Sequence, residues 1–222
     1  MGSIAVMPFS AELDLSGVST SLDETQVARL AQITHSERKK QFLAARYLAI
    51  ELLREQGVQT ELGAHDSGRP YAKHWVSAEG VSWTHNPHWV GAALGAGRVG
   101  IDIESVRPGR NVIAIAEQYF SPNEVRYLQS LVGQEQTTIF YLLWVAKEAL
   151  LKALGTGIVG GLARFELFQQ QNTWYFNCLE RENWFLQVWQ LDLHTYCSVA
   201  SDTRQSWSFD CATALSVLEI SC

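Results

Sequence analysis

The stretch 139-IFYLLWVAKEALLKALGTG-157 constrains the fold more than any other part of the chain. From Ile139 to Leu154 it is aromatic and aliphatic nearly all round, the pattern of a helix buried on most of its surface. Yet Lys147, Glu148 and Lys152 interrupt that run, and charged side chains are seldom fully buried without partners. The rest of the chain must therefore bring groups to meet one carboxylate and two ammonium groups near the helix's C-terminal end.

With 222 residues, 47% of them hydrophobic, the chain can build a sizeable core as one large domain or two small lobes. It has no apolar run of about 18 uncharged residues, so no membrane span is expected. The opening MGSIAVMPFS lacks the basic region and apolar length of a signal peptide, and Val6 stands where a myristoylation motif needs Ser or Thr. Cys178, Cys197, Cys211 and Cys222 show no C-x-x-C spacing. Without an export signal they read as reduced thiols rather than disulfides or zinc ligands, and the cytoplasm is the expected compartment. The net charge is −6, with 11 basic against 12 acidic residues in 1–110 and 6 against 11 in 111–222. That balance argues against duplex nucleic acid, while the basic cluster in 35-HSERKKQF-42 leaves room for a pocket that takes a small polyanion.

Along the chain, Ile4 to Phe9 reads as a strand, 21–33 as a helix, and 35–56 as a longer helix ended by Gly57. Phe42, Leu43, Tyr47, Ile50 and Leu53 recur along it at helical steps. The segment 66-DSGRPY-71 is a turn, and 81–85, 88–94 and 98–104 are strands separated by Asn-Pro and Gly-Ala-Gly. Helices are expected near 111–119, 121–131 (a Ser-Pro start) and 135–154. Short antiparallel strands then follow at 164–169, 173–178, 184–191, 195–200 and a last pair near 207–219. The reading is α+β: two similar lobes, each a small, mostly antiparallel sheet with packed helices.

Four places can carry chemistry. In 100-GIDIE-104, alternation puts Asp102 and Glu104 on one face and Ile101 and Ile103 on the other. Two carboxylates so placed can share a divalent ion such as Mg²⁺, or can simply form a solvated strand face. On the apolar helix, Glu148 and Lys152 are four residues apart and share a face with Trp144, with Lys147 one step round. An exposed ion pair at that spacing contributes only about 0.3–0.5 kcal/mol, so a site and a solvent stripe both remain open. His85 ends an apolar strand and Arg46 interrupts an otherwise core-forming helix. His85 is either a hydrogen-bonded turn residue or a ligand group. Arg46 either snorkels to the surface or offers a planar fork to a phosphate.

The order G-I-D-I-E, about forty residues, then W-V-A-K-E-A-L-L-K resembles the 4′-phosphopantetheinyl transferases, in their larger, two-lobed Sfp-like class. The resemblance extends to 37-ERKKQFLAARYLAIELL-53, to the G-R-P turn at 68–70 and to 81-VSWTH-85, covering about residues 35–157. It implies two pseudo-twofold lobes: residues 1–100 on the CoA nucleotide side, and 101–222 carrying the metal and W-x-x-K-E-x-x-x-K motifs. By the resemblance, Asp102, Glu104 and Glu148 match Mg²⁺ ligands, and Glu148 matches a proposed base. Lys152 matches a contact to the CoA phosphates, and Thr84 and His85 match a Ser-His pair beside them. His85 and Lys152 would there neutralise developing charge, as would the metal. Arg46 and Arg69 match positions that hold the 3′-phosphoadenosine end. The chain departs from the family pattern at Thr84 and Asn86, where Ser, and Ser or Thr, are usual.

The implied activity is Mg²⁺-dependent transfer of 4′-phosphopantetheine from CoA to a serine of an acyl or peptidyl carrier protein, in the manner of a holo-acyl-carrier-protein synthase. The other product is adenosine 3′,5′-bisphosphate. The resemblance implies a monomer, because two lobes supply what a dimer interface supplies in the short class; from the charge balance and the lack of a long apolar run, neither nucleic acid nor membrane is expected as a partner. It also makes the helices of 111–131, with Ile113, Tyr119, Phe120 and Leu128, part of the carrier surface. A metal-dependent diphosphate hydrolase and a silent CoA- or carrier-binding module are the alternatives.

Overall fold

The computed structural model describes residues 1–10, 12–157, 161–170, 173–178, 183–209 and 215–221. Cys211, Cys222 and the middle of the last expected strand pair lie outside the described residues. The N-terminal half runs β1 (Gly2–Pro8), α1 (Glu24–Gln32), α2 (Ser36–Glu55), β2 (Leu62–Ala64), β3 (Pro70–Ala72), β4 (Val81–His85), β5 (Trp89–Leu94) and β6 (Val99–Ser105). Next come α3 (Val112–Tyr119), α4 (Pro122–Ser130) and α5 (Gly133–Leu154). The chain finishes with β7 (Phe165–Gln170), β8 (Thr173–Cys178), β9 (Phe185–Asp192), β10 (Thr195–Ser201), β11 (Trp207–Phe209) and β12 (Leu215–Ser221).

Local chemistry sets the helix ends. The Asp23 side chain accepts from the Gln26 amide at 3.0 Å, so α1 starts at Glu24, three residues later than expected, and Ser21 belongs to a 3-10 turn. Ser121 and Glu124 form a full capping box with Pro122 at the first helical position of α4. Gln136 donates to the carbonyls of Leu128 and Leu131, tying the start of α5 to the end of α4. Gly155, in the left-handed region, ends α5.

The architecture is α+β in two lobes. One sheet has the order β11-β1-β5-β4, the other β6-β10-β9-β12-β8-β7, and β2 and β3 form a hairpin. Pairing is antiparallel except for β1 with β11 and β8 with β12. β11 thus returns from the C-terminal half to edge the smaller sheet, while β6 lies in the larger one. The core around α2 takes Phe42, Ile50, Leu53 and Val90, and the core around α5 takes Phe140, Leu143, Trp184 and Leu186. Between the two sheets, Ile4 and Ala93 meet Ile101, Ile103, Cys197 and Val199. The isoleucines of G-I-D-I-E therefore point into the seam between lobes, and its carboxylates point the other way, under α5.

Candidate active site

The site lies where β4, an edge of the smaller sheet, meets β6, an edge of the larger one. Side chains bridge the two strands: Ser82 Oγ accepts from the Ile101 amide at 3.1 Å, and Asn86 Nδ2 donates to Ser105 Oγ at 3.1 Å. Asn86 Oδ1 also accepts from the amides of His88 and Trp89, each at 2.8 Å. The departure from Ser or Thr at this position therefore serves the β4–β5 turn. Gly100 brings α5 down onto β6, because a Cβ there would stand 2.0 Å from the Ala149 carbonyl oxygen and 2.4 Å from the Ala153 amide nitrogen.

That close approach delivers Lys152 to the strand. Its Nζ donates to Asp102 Oδ1 at 2.7 Å, to Thr84 Oγ1 at 3.0 Å and to the Ile101 carbonyl at 3.0 Å. Thr84 Oγ1 in turn donates to Asp102 Oδ1 at 3.1 Å. One lysine thus joins both lobes and α5, reaching across to Asp102.

These groups open onto a cleft of about 310 Å³ lined by Thr84, His85, Asp102, Glu104 and Lys152 on one side and by Arg29, Arg46 and Arg69 on the other. His85 is pushed down to about 4, mainly by burial and then by the charges of Arg46, Lys152, Arg38 and Arg29. At neutral pH it is therefore an uncharged imidazole that can donate or accept a hydrogen bond at the cleft wall. Arg46 does not snorkel: it is 2% exposed, with Nε and Nη2 on Gln26 Oε1 and Nη1 on the Phe42 carbonyl. Its guanidinium stacks on Phe42 and Trp83, and burial lowers its pKa. Arg69 meets Glu79 through Nη1 at 3.2 Å, while its buried Nε and Nη2 have no hydrogen-bond partner among the described residues. Arg29, exposed on α1, completes the basic side of the cleft. Sequence reasoning missed it, since it lies outside every motif and no spacing marks it.

The carboxylates form an electrostatic group. Burial first, then the charge of Asp102, pushes Glu104 up to about 7; the same two causes push Glu148 up to about 7. Arg107 and Arg110 act on Glu104 in the opposite direction. Asp102 Oδ2 is buried with no hydrogen-bond partner among the described residues. Among those residues no three His, Cys, Asp or Glu side chains gather into a ready metal cage. Glu104 and Glu148, both pushed up by burial and by the charge of Asp102, nevertheless make a set of oxygen donors that fits a hard cation, and Mg²⁺ commonly takes only one or two protein carboxylates.

Lys147 does not join this group. It is fully buried, pairs with Glu124 of the α4 capping box, and donates to the Leu162 carbonyl at 3.0 Å. Glu124 also accepts from the amides of Ser121 and Leu167, each at 2.9 Å. The charges of the apolar helix therefore divide: Lys147 closes a structural hub, Lys152 lines the cleft, and Glu148, outside the cleft lining, is coupled through its charge to Asp102, Lys152 and Glu104. The apolar set of 111–131 also has another task. Phe120 and Leu128 are buried in the α5 core, and Ile113 and Tyr119 pack against it. The exposed apolar groups lie next door: Val132 and Leu193, each 79% exposed, flank a cavity of about 360 Å³ lined by Arg107, Arg110, Thr137 and His194.

The two lobes thus meet at a cleft with arginines on one side and Asp102 and Glu104 on the other, chemistry that can take a phosphorylated ligand. Residues 98–204 match the family model of the 4′-phosphopantetheinyl transferase superfamily. The transferase AcpT of Salmonella typhimurium is 30% identical over 146 residues, which is 64% of this chain and 72% of AcpT. HetI of Nostoc sp. is 28% identical over 155 residues, 66% of this chain and 65% of HetI. Sfp of Bacillus subtilis is 35% identical over 89 residues, 40% of this chain and 39% of Sfp. The match thus spans less than two thirds of HetI and of Sfp. The chain belongs to the 4′-phosphopantetheinyl transferase superfamily. Among the described residues, no helix is long and apolar enough to cross a membrane.

Proposed function

We propose that this chain transfers 4′-phosphopantetheine from CoA to a serine hydroxyl of an acyl or peptidyl carrier protein, with Mg²⁺, as a monomer in the cytoplasm. The observation that carries this reading is the single cleft joining Asp102, Glu104, Thr84, His85 and Lys152 to three arginines at the lobe junction.

In the reaction the serine O–H bond breaks and its oxygen bonds the phosphorus that bears pantetheine. The bond from that phosphorus to the bridging oxygen breaks, and adenosine 3′,5′-bisphosphate leaves with the bridging oxygen. The attack meets a diphosphate that is already negative, so charge neutralisation is the main demand. Asp102, Glu104 and Glu148 would hold Mg²⁺, which when bound would supply part of that neutralisation. Lys152, already within reach of both lobes, supplies a fixed cation, and Thr84 and neutral His85 supply hydrogen bonds. Glu148 is the group that accepts the serine proton. Arg69, through its unpartnered Nε and Nη2, and exposed Arg29 take phosphates on the adenosine side. Arg46 adds charge from behind, its donors being engaged with Gln26 and Phe42. The carrier approaches from the other side of Glu104, where Arg107, Arg110, Val132 and Leu193 suit an acidic partner with an apolar contact.

The test is intact-protein mass spectrometry of apo carrier proteins incubated with this protein, CoA and Mg²⁺, alongside Glu148→Gln. A phosphopantetheine-sized gain that the variant loses is the expected result. CoA cleavage without any carrier gain would make the protein a hydrolase. CoA binding with neither event would make it a binding module.

A further inference from the structure

Ser198 occupies the middle of β10, directly opposite Asp102 of β6. Directly opposed residues of an antiparallel pair point to the same face, with Cβ atoms about 4.5–5.5 Å apart. Here that face is the one beneath α5. The neighbouring pairs on it are Gly100 with Ala200 and Glu104 with Tyr196, and Gly100 lies against Ala149 and Ala153 of the helix. Across the other edge of β10, Ser198 faces Val188, which offers no polar side chain.

Ser198 is wholly buried, and its Oγ has no hydrogen-bond partner among the described residues. Asp102 Oδ2 is in the same condition. Buried polar atoms are almost always paired with protein or ordered water, so each orphan requires an explanation. Two orphans on facing register positions, one a hydroxyl and one a carboxylate oxygen, have a common one. A water between them can donate to Asp102 Oδ2 and exchange a hydrogen bond with Ser198 Oγ.

We propose that Ser198 is a positioning residue for Asp102, acting through one buried water held between Ser198 Oγ and Asp102 Oδ2. Lys152 and Thr84 hold Oδ1 from the cleft side. The Ser198 water holds Oδ2 from the sheet side, so the carboxylate plane is set before a cation arrives. This rests on the reading of Asp102 as a cation ligand. Removing a partner that orients a metal ligand typically costs about 10–100-fold in metal affinity.

The experiment is calorimetric titration of Mg²⁺ into the full, CoA-free chain for wild type, Ser198→Ala, Ser198→Cys and Asp102→Asn, with thermal melts of each in EDTA. Ser198→Ala, and Ser198→Cys with its somewhat larger and only weakly hydrogen-bonding thiol, are expected to bind Mg²⁺ at least about tenfold more weakly. Their melts in EDTA should stay close to wild type. Wild-type affinity in both Ser198 variants, with binding lost in Asp102→Asn, overturns this inference alone. Absence of Mg²⁺ binding in wild type overturns the cation reading and this inference together. A high-resolution crystal structure of the metal-free chain gives a direct check independent of the variants. A water within hydrogen-bonding distance of both atoms is expected, and its absence overturns the proposal.

Discussion

Lys147 and Lys152 are carried by one helix, and their surroundings give them different work. Lys147 has no exposure and meets Glu124, the Leu162 carbonyl and the Phe120 ring, so its charge ties α5 to α4 and the turn before β7. Breaking such a buried pair from one side leaves an uncompensated charge and costs about 3–5 kcal/mol. Lys147→Met should therefore lower the urea-denaturation stability by about that amount. Adding Glu124→Leu should recover only part of it, because Glu124 also satisfies the amides of Ser121 and Leu167. His85 makes a second residue-scale prediction. Its pKa falls from 6.5 unfolded to about 4 folded, so between these values the unfolded chain binds more protons. Its contribution to stability is fully present above pH 6.5 and is lost as pH falls toward 4. The stability difference between wild type and His85→Gln should shrink across that window and stay constant above it, as read by chemical denaturation at several pH values.

At the scale of elements, the site depends on how closely α5 lies on β6. Gly100 sets that distance, and any side chain there meets the helix backbone, which cannot move aside as a flexible side chain would. Overpacking of this kind costs about 1–3 kcal/mol or more. Gly100→Ala should therefore destabilise the protein in urea and also depress turnover, because lifting α5 takes Lys152 Nζ away from Asp102 and Thr84. Turnover should fall even under conditions where the variant is fully folded, which separates the positional effect from loss of protein.

At the scale of the whole molecule, Glu104 stands between two cavities of different character. The cleft carries arginines from the N-terminal half. The second cavity carries Arg107 and Arg110, with the exposed Val132 and Leu193 at its rim. The Arg107 amide donates to Tyr141 Oη at 3.0 Å, and the Arg110 guanidinium lies over Trp144, so this loop is braced on the same helix that carries Glu148. Reversing charge with Arg107→Glu and Arg110→Glu should raise KM for an acidic carrier roughly tenfold or more, since like charges placed together cost several kcal/mol. KM for CoA should change little in the same steady-state assay.

Strand alternation in G-I-D-I-E, the periodicity of α2 and α5, the Ser-Pro start of α4 and the Asn-Pro turn were legible in the sequence, because each is set by residues close along the chain. The approach of Asp102, Thr84 and Lys152 was legible only through motif resemblance, since no local period links residues so far apart. Three features were decided by tertiary structure alone. Lys147 and Lys152 look alike in the apolar run, and only the partners brought by α4 and β6 distinguish them. Phe120 and Leu128 look like a docking face until α5 covers them. Arg29 and Ser198 carry no motif, and become part of the site because sheet register and helix packing bring them there. Local physics determines which residues form helix or strand, but burial and charge pairing depend on what the folded chain places on the other side.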